Sequence, residues 1–452
     1  MSPRSARPTT LPAAARVAAT GLAAAALGGL GACIGIAGHP APYDKPAFPT
    51  GLALDAAGDR LVVVSSNFDL AYDDGAVLLA DLSRVRAALA DSADRADKAG
   101  VVVDDAYVAA VQLPSFGDAP VVDATGRHVL VATRGGNLLH ELLLDDDGLS
   151  CGDAGCAAAP HALQLAGNDP FDVVLVGQSV DDDGGLAAAR ALVTHLSSPV
   201  AELVRLDPAK SDEARMRVER APLTFGEDVF GVRSAVFVPG VGGAPDRVIA
   251  LLERRIDRTL VGCDLAVVDV PAVDRGDDAA SVRTDVTALT GALTGRDVVI
   301  TADAARGPGA LAVIVALRSP DAVARFALDD DGTLSLTHVD GSCRKPTGMA
   351  TADVDGDGDP ATPGTPRLLV TCQDGQAVES LDPLDLSVTD AVRFFGRAPY
   401  DVVVDAVHQQ AFVSFFLDGS VGVLSLVDDG VARLTPLGRI GAALPRPEDG
   451  RE

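Results

Sequence analysis

The chain has 452 residues, a formal net charge of −27, 48% apolar residues and only 4% aromatic residues with no Trp. So acidic a body repels phosphate backbones, which argues against nucleic acid as a partner, and its core must be built from Val, Leu and Ala. Lys is confined to Lys45, Lys98, Lys210 and Lys345, so Arg carries nearly all the positive charge.

In chain order, the first segment is an export signal. Arg4, Arg7 and Arg16 form a basic start, and residues 17–31 are an apolar run rich in Ala, Gly and Leu. That run is shorter than the ~20 residues a spanning helix needs and ends in small residues, as secretory signal peptides do. Leu30-Gly31-Ala32-Cys33 resembles a bacterial lipobox. The resemblance implies cleavage before Cys33 and lipid (palmitate among the acyl groups) on that residue; an ordinary signal peptide with an incidental Cys is the alternative. The start has no Arg-Arg pair, which points to the general secretion route. Ile34 after the cysteine implies, by resemblance to Gram-negative sorting rules, the outer membrane. Residues 1–32 are therefore expected to be a signal peptide and 33–48, rich in Pro and Gly, a tether. Residues 49–441 would form the body and 442–452 a disordered tail.

From Pro49 onward one pattern recurs. Short β-branched and apolar runs, each too brief for a helix, are bounded by Gly, Asp and Asn. In the first repeat these are 51–55, 60–65 and 76–82. An inserted helix over 84–99 follows, then a fourth strand over 106–112. Later repeats begin near 119, 169, 234, 297, 346 and 398. Pro49, Pro120, Pro170, Pro346 and Pro399 are expected at one shared place, the entry to an inner strand, where a lost N–H does no harm. Repeats of roughly 50–70 residues with about four strands each are the mark of a propeller. We count seven, giving an all-β, seven-bladed β-propeller. Packing such sheets around an axis hides both faces, which explains strands that hardly alternate. A β-sandwich array is the alternative, and it leaves the recurring inner-strand opening unexplained.

Two stretches carry a family resemblance. Leu61-Val62-Val63-Val64-Ser65-Ser66-Asn67 with Gly75-Ala76-Val77-Leu78-Leu79-Ala80-Asp81 resembles the YVTN-type β-propeller repeat. So does Ala411-Phe412-Val413-Ser414-Phe415-Phe416 with Gly419-Ser420-Val421-Gly422-Val423-Leu424-Ser425, although the Tyr and Thr of the motif are replaced in both copies. The resemblance spans about residues 46–440. It implies an exported or surface binding protein, or a relative of the propeller-type lactonases. Fold alone does not choose between them.

Beyond Cys33, five cysteines remain in an oxidising compartment. Cys151 and Cys156 can close a small loop, and Cys343 and Cys372 can pair across one repeat, leaving Cys263 as a buried thiol. Asp353, Asp355, Asp357 and Asp359, with Gly358 between the last two, give alternating carboxylates as in the start of an EF-hand loop. A structural calcium ion is expected there, with a solvated acidic hairpin as the alternative. Gly364 stands where a bidentate Glu belongs. The runs at 145–148, 181–184 and 329–332 read as Asp-Gly turns.

Loops after second strands and before inner strands should meet at one mouth of the channel. They carry Arg134, His195, Arg254, Arg255, Arg318, Arg344 and Arg397, a set able to seat an anion on an otherwise acidic body. The competing reading is that these Arg pair with neighbouring Asp and Glu and hold the blades together. No nucleophile elbow, phosphate-binding Gly loop, CxxCH or HExxH is present. The expectation is a lipid-anchored binding module at the cell envelope, taking a protein or small anionic ligand on its channel face, with no catalysis inferred. A lactonase-like hydrolase and a purely structural lipoprotein are the alternatives.

Overall fold

The computed structural model describes residues 40–91, 100–152, 155–156, 159–211, 215–240, 244–257, 260–271, 281–341, 343–354 and 364–442. From Ala41 onward they form one compact unit of seven antiparallel sheets, each built from consecutive strands. The first blade contains Pro49–Leu54, Arg60–Ser65, Gly75–Asp81 and Tyr107–Leu113. The last contains Pro399–Asp405, Gln410–Phe415, Ser420–Asp428 and Val431–Ile440. The first strand of each blade touches the first strands of its neighbours, and these contacts close into a ring.

Seven hydrophobic clusters lie between the sheets, each shared by two adjacent blades. In one, Leu61 and Leu78 of the first blade meet Phe412 and Val423 of the last, all at 0% exposure. This is why the strands are apolar on both faces: each sheet is covered on either side. Small and branched residues suit such closely apposed sheets, so few aromatics are needed.

Among the described residues, the four main strands of the first blade and of the last blade each come from their own part of the chain. The excursion between the third and fourth strands of the first blade includes a helix, Leu82–Asp91, which starts two residues before the 84–99 span expected from sequence. Residues 92–99 lie outside the described set. Val102–Val103 then pairs in parallel with Arg439–Ile440 as a fifth strand on the last blade. Leu82, Val85 and Leu89 of the helix pack into the same cluster, and Arg86 reaches Asp405 at 2.5 Å. The seam is thus latched by an insertion.

Two sequence expectations shift. Pro49, Pro170, Pro346 and Pro399 each pair with the final residue of the second strand (Ser65, His195, Cys372 and Phe415). In the second blade the residue in that place is Gly117, which bridges Thr133. Pro120 lies three residues further along, because the short strand Val121–Val122 starts late. The body also takes in part of the stretch assigned to the tether: Ala41 and Ala47 are buried, and Ala47 donates its amide to Ser65 Oγ at 2.7 Å.

The acidic turns behave as read. Asp145 Oδ1 accepts from the amides of Asp147 and Gly148, and Asp181 Oδ1 accepts from Asp183 and Gly185. Disulfides join Cys151 to Cys156 and Cys343 to Cys372. Cys263 is a free thiol at 0% exposure, and burial pushes its pKa up to about 12.

Candidate functional site at the channel mouth

The inner strands carry a dipeptide just past the shared Pro or Gly that builds the channel wall. In three blades its second member is Asp, as Phe171-Asp172, Arg296-Asp297 and Tyr400-Asp401. Each of these carboxylates staples its blade to the next. Asp172 Oδ2 accepts from the Ala235 amide at 3.0 Å, Asp297 Oδ2 from Met349 at 2.7 Å, and Asp401 Oδ2 from Leu52 at 2.8 Å. The other oxygen accepts from the following amide of its own strand, Val173, Val298 or Val402, at 2.8 Å. A strand bulge at this point frees those amides from the ladder.

Two of the receiving blades also need a glycine where the following blade presses against them. A Cβ on Gly348 would lie 2.7 Å from the Tyr400 carbonyl oxygen, and one on Gly51 2.6 Å from Pro120. Seven is odd, so an alternating staple pattern must break somewhere. It breaks at the second blade, where Ala119 replaces Asp and Pro120 has no amide to donate.

The channel here narrows to a cavity of about 70 Å3 whose lining includes Asp118, Phe171, Asp172, Arg296, Tyr400 and Asp401. Such a space admits a carboxylate- or phosphate-sized group; whole drug-sized ligands occupy roughly 300–1,000 Å3. Arg296 lines it, Arg318 donates to the lining residue Thr347, and Arg134 and Arg233 lie near enough to the lining residue Asp118 to act on its charge. Arg233 donates to Glu253 at 2.8 Å and lies over the Phe171 ring at 5.8 Å. Arg296 donates only to the Tyr400 hydroxyl, at 3.3 Å, and its Nε is buried with no partner. Arg134 lies over the Phe116 ring at 5.2 Å, and its Nε is likewise buried without a partner. Arg318 donates to the Pro346 carbonyl, Thr347 Oγ1 and Gln373 Oε1. Burial, followed by the proximity of Arg296, pushes its pKa down to about 10. It remains cationic at neutral pH.

The carboxylates do not neutralise this group. Burial pushes Asp118, Asp297 and Asp401 up to about 7, opposed at Asp118 by Arg134 and Arg296 and reinforced at Asp297 by Asp172. Near neutrality these acids carry only part of their formal charge. The site's chemistry is that of fixed cations on a desolvated wall, suited to holding a negative group.

Of the residues proposed from sequence, Arg134 and Arg318 stand at this cavity. His195 is at 0% exposure with Nε2 3.1 Å from Glu202 Oε1 inside the third blade. Arg254 is held by Asp264 at 2.6 Å and Asp285 at 2.5 Å. Arg397 binds Asp418, which also accepts from Arg439. Arg255 and Arg344 are exposed. Arg233, Arg296 and Asp118 are absent from the sequence-based set because they sit on or beside inner strands and not in the loops. The recurring aromatic-or-Arg, Asp, Val triplet at 171–173, 296–298 and 400–402 marks Arg296, whereas Arg233 and Asp118 fall outside it and carry no such signal. For the calcium loop, Asp353 is exposed near the end of the strand Pro346–Val354. Asp355, Asp357 and Asp359 lie outside the described residues.

No protein-family profile matches the chain, and no curated protein sequence matches it. Solved structures do. Kuenenia stuttgartiensis hydrazine synthase aligns with a TM-score of 0.53 at 14% identity, covering 86% of this chain and 99% of that one. The β-propeller domain of Cps50 (Swd1) from Myceliophteria thermophila aligns with a TM-score of 0.53 at 10% identity, covering 84% and 98%. At such identities the likeness shows the fold, a seven-bladed β-propeller, and nothing of activity.

Proposed function

We propose that this protein is an exported, lipid-anchored propeller that binds an anionic ligand at the mouth of its central channel. The observation that carries the reading is the group Arg134, Arg296 and Arg318. Arg296 lines the cavity and the other two stand beside its lining, none with a carboxylate in ion-pair contact among the described residues, on a chain of net charge −27. By contrast, Arg215, Arg254, Arg283 and Arg397 each contact an Asp or Glu. Leaving guanidinium nitrogens buried and unpaired costs stability, so their retention fits a ligand that supplies the missing acceptors. Calorimetric titration with inorganic phosphate and sulfate tests this. Wild type should bind, Arg296→Gln should lose at least tenfold in affinity, and equal binding by both would refute the reading.

Cys33 is the proposed lipid attachment point, with the outer membrane as destination. Cys33→Ser should release the protein from the membrane fraction, and continued retention would overturn the anchor. Asp353, Asp355, Asp357 and Asp359 are proposed to hold a structural calcium ion; unchanged melting on chelation would refute it. A second reading, a lactonase-like hydrolase, is favoured by Asp118. This is a cavity carboxyl with a pKa of about 7 beside Arg296, as a general acid–base group requires. Turnover of simple lactones that disappears in Asp118→Asn would establish it over pure binding.

A further inference from the structure

The cations are only one side of the mouth. An aromatic arc drawn from the last, first and second blades faces them. Phe68 contacts Phe116 and Phe416 edge-on, with ring centroids 5.9 and 5.4 Å apart. Phe416 stacks on Tyr400 at 5.6 Å, and Phe48 fills the angle between Phe416 and Phe68. The arc begins and ends on arginine, with Arg134 over Phe116 and Arg296 over Tyr400. In a chain with only 4% aromatic residues, such concentration at one spot needs a reason. Core packing does not supply one: Phe68 is 52% exposed, Leu70 two residues on is 61% exposed, and Leu417 next to Phe416 is 47% exposed.

Building on the anion-site reading, we infer that the ligand is a monomeric amphipathic anion. Its charged head enters the Arg-lined cavity, and its aliphatic or aromatic body lies on the Phe68–Phe416 arc outside. Two facts dictate the division. The cavity of about 70 Å3 has room for the head alone, and Tyr400 both lines it and stacks on Phe416 of the aromatic arc. The rim's ring faces and edges accept an apolar chain without hydrogen-bond demands, and removing that chain from water adds affinity in proportion to its buried length.

The test is calorimetric titration of the purified protein with methane-, butane- and octanesulfonate, and with octanol as the neutral comparator. Affinity should rise with chain length, by about two- to fourfold per methylene where the chain is buried, and octanol should bind far more weakly than octanesulfonate. Phe68→Ser, an exposed position whose folding circular dichroism will verify, should flatten the chain-length series and leave the shortest sulfonate unchanged. Arg296→Gln should weaken the whole series. Equal binding of short and long sulfonates, indifferent to Phe68→Ser, overturns the amphipathic inference but leaves the anion site standing. Octanesulfonate binding indifferent to Arg296→Gln overturns both. Pelleting with phosphatidylglycerol vesicles in the absence of octanesulfonate binding overturns the monomeric ligand in favour of a bilayer surface.

Discussion

The arginines of the outer strands and the arginines around the axis differ in what faces them. Arg254 and Arg283 of the fourth blade share Asp264, Arg397 and Arg439 of the last share Asp418, and Arg215 of the third blade joins His128 on the fully buried Glu141 of the second. There the charge is consumed by structure. Burial alone would raise the Glu141 pKa, yet hydrogen bonds from His128 and Arg215 outweigh it and hold the carboxyl below its ordinary range. Around the axis, Arg134, Arg296 and Arg318 meet aromatic faces, hydroxyls and carbonyls. The nearby aspartates are occupied with strand amides or partly protonated. A cation with its counter-charge built in holds a fold together, whereas one without it is available to a visitor.

Breaking the first kind should hurt the fold most. Arg215→Ala leaves Glu141 charged and buried without its main partner, and should cost about 3–5 kcal/mol, read as a large fall in melting temperature. Arg254→Ala strips one of two partners from Asp264, with Arg283 remaining, and should cost less, about 1–3 kcal/mol. The staples come next: Asp401→Ala deletes an acceptor for two amides at the seam between the last and first blades, and should cost a similar ~1–3 kcal/mol. Its effect should exceed that of Ala119→Asp, placed where the staple pattern is already broken. Arg296→Gln should leave the melting temperature unchanged or raise it while weakening anion binding at least tenfold, since it orphans no carboxylate and removes a buried unpaired Nε. If Arg296→Gln proved as destabilising as Arg254→Ala, the distinction between the two sets would fail.

A pH series sharpens the same contrast. Asp118, Asp297 and Asp401 have folded pKa values near 7, above their unfolded values near 3.8. Between about pH 4 and 7 the folded chain therefore binds more protons than the unfolded one. The sign of the linkage makes their contribution to stability fall as pH rises through that window and level off above it. Asp297→Asn should flatten the dependence, measured by melting temperature. The same protonation strips negative charge from the cavity, so anion affinity should increase several-fold from pH 8 to pH 6. Asp118→Asn should raise affinity at pH 8 and weaken the trend.

Most of the architecture was legible in the chain. Strand-length runs bounded by Gly and Asp, recurring seven times without polar faces, require sheets covered on both sides, and a ring of blades meets that requirement. The Cys spacings were readable for the same reason: residues flanking one turn or one hairpin stay close wherever the hairpin lies. Closure through Val102–Val103 was hidden, because a two-residue parallel pairing leaves no periodic trace. The displacement of Pro120 by three residues was hidden too, since only the bridge from Gly117 to Thr133 reveals it.

The candidate site was half legible. Loops at the ends of second strands pointed to Arg134 and Arg318, but the same logic nominated Arg254 and Arg397, whose partners are fixed by neighbouring strands. Whether an arginine faces a carboxylate or the axis depends on side-chain direction and on which blade comes next, and neither is local. Local spacing dictates a strand and a turn, and thereby a blade. Convergence of Phe171, Arg296 and Tyr400 from three blades onto one small cavity exists only once the ring has closed.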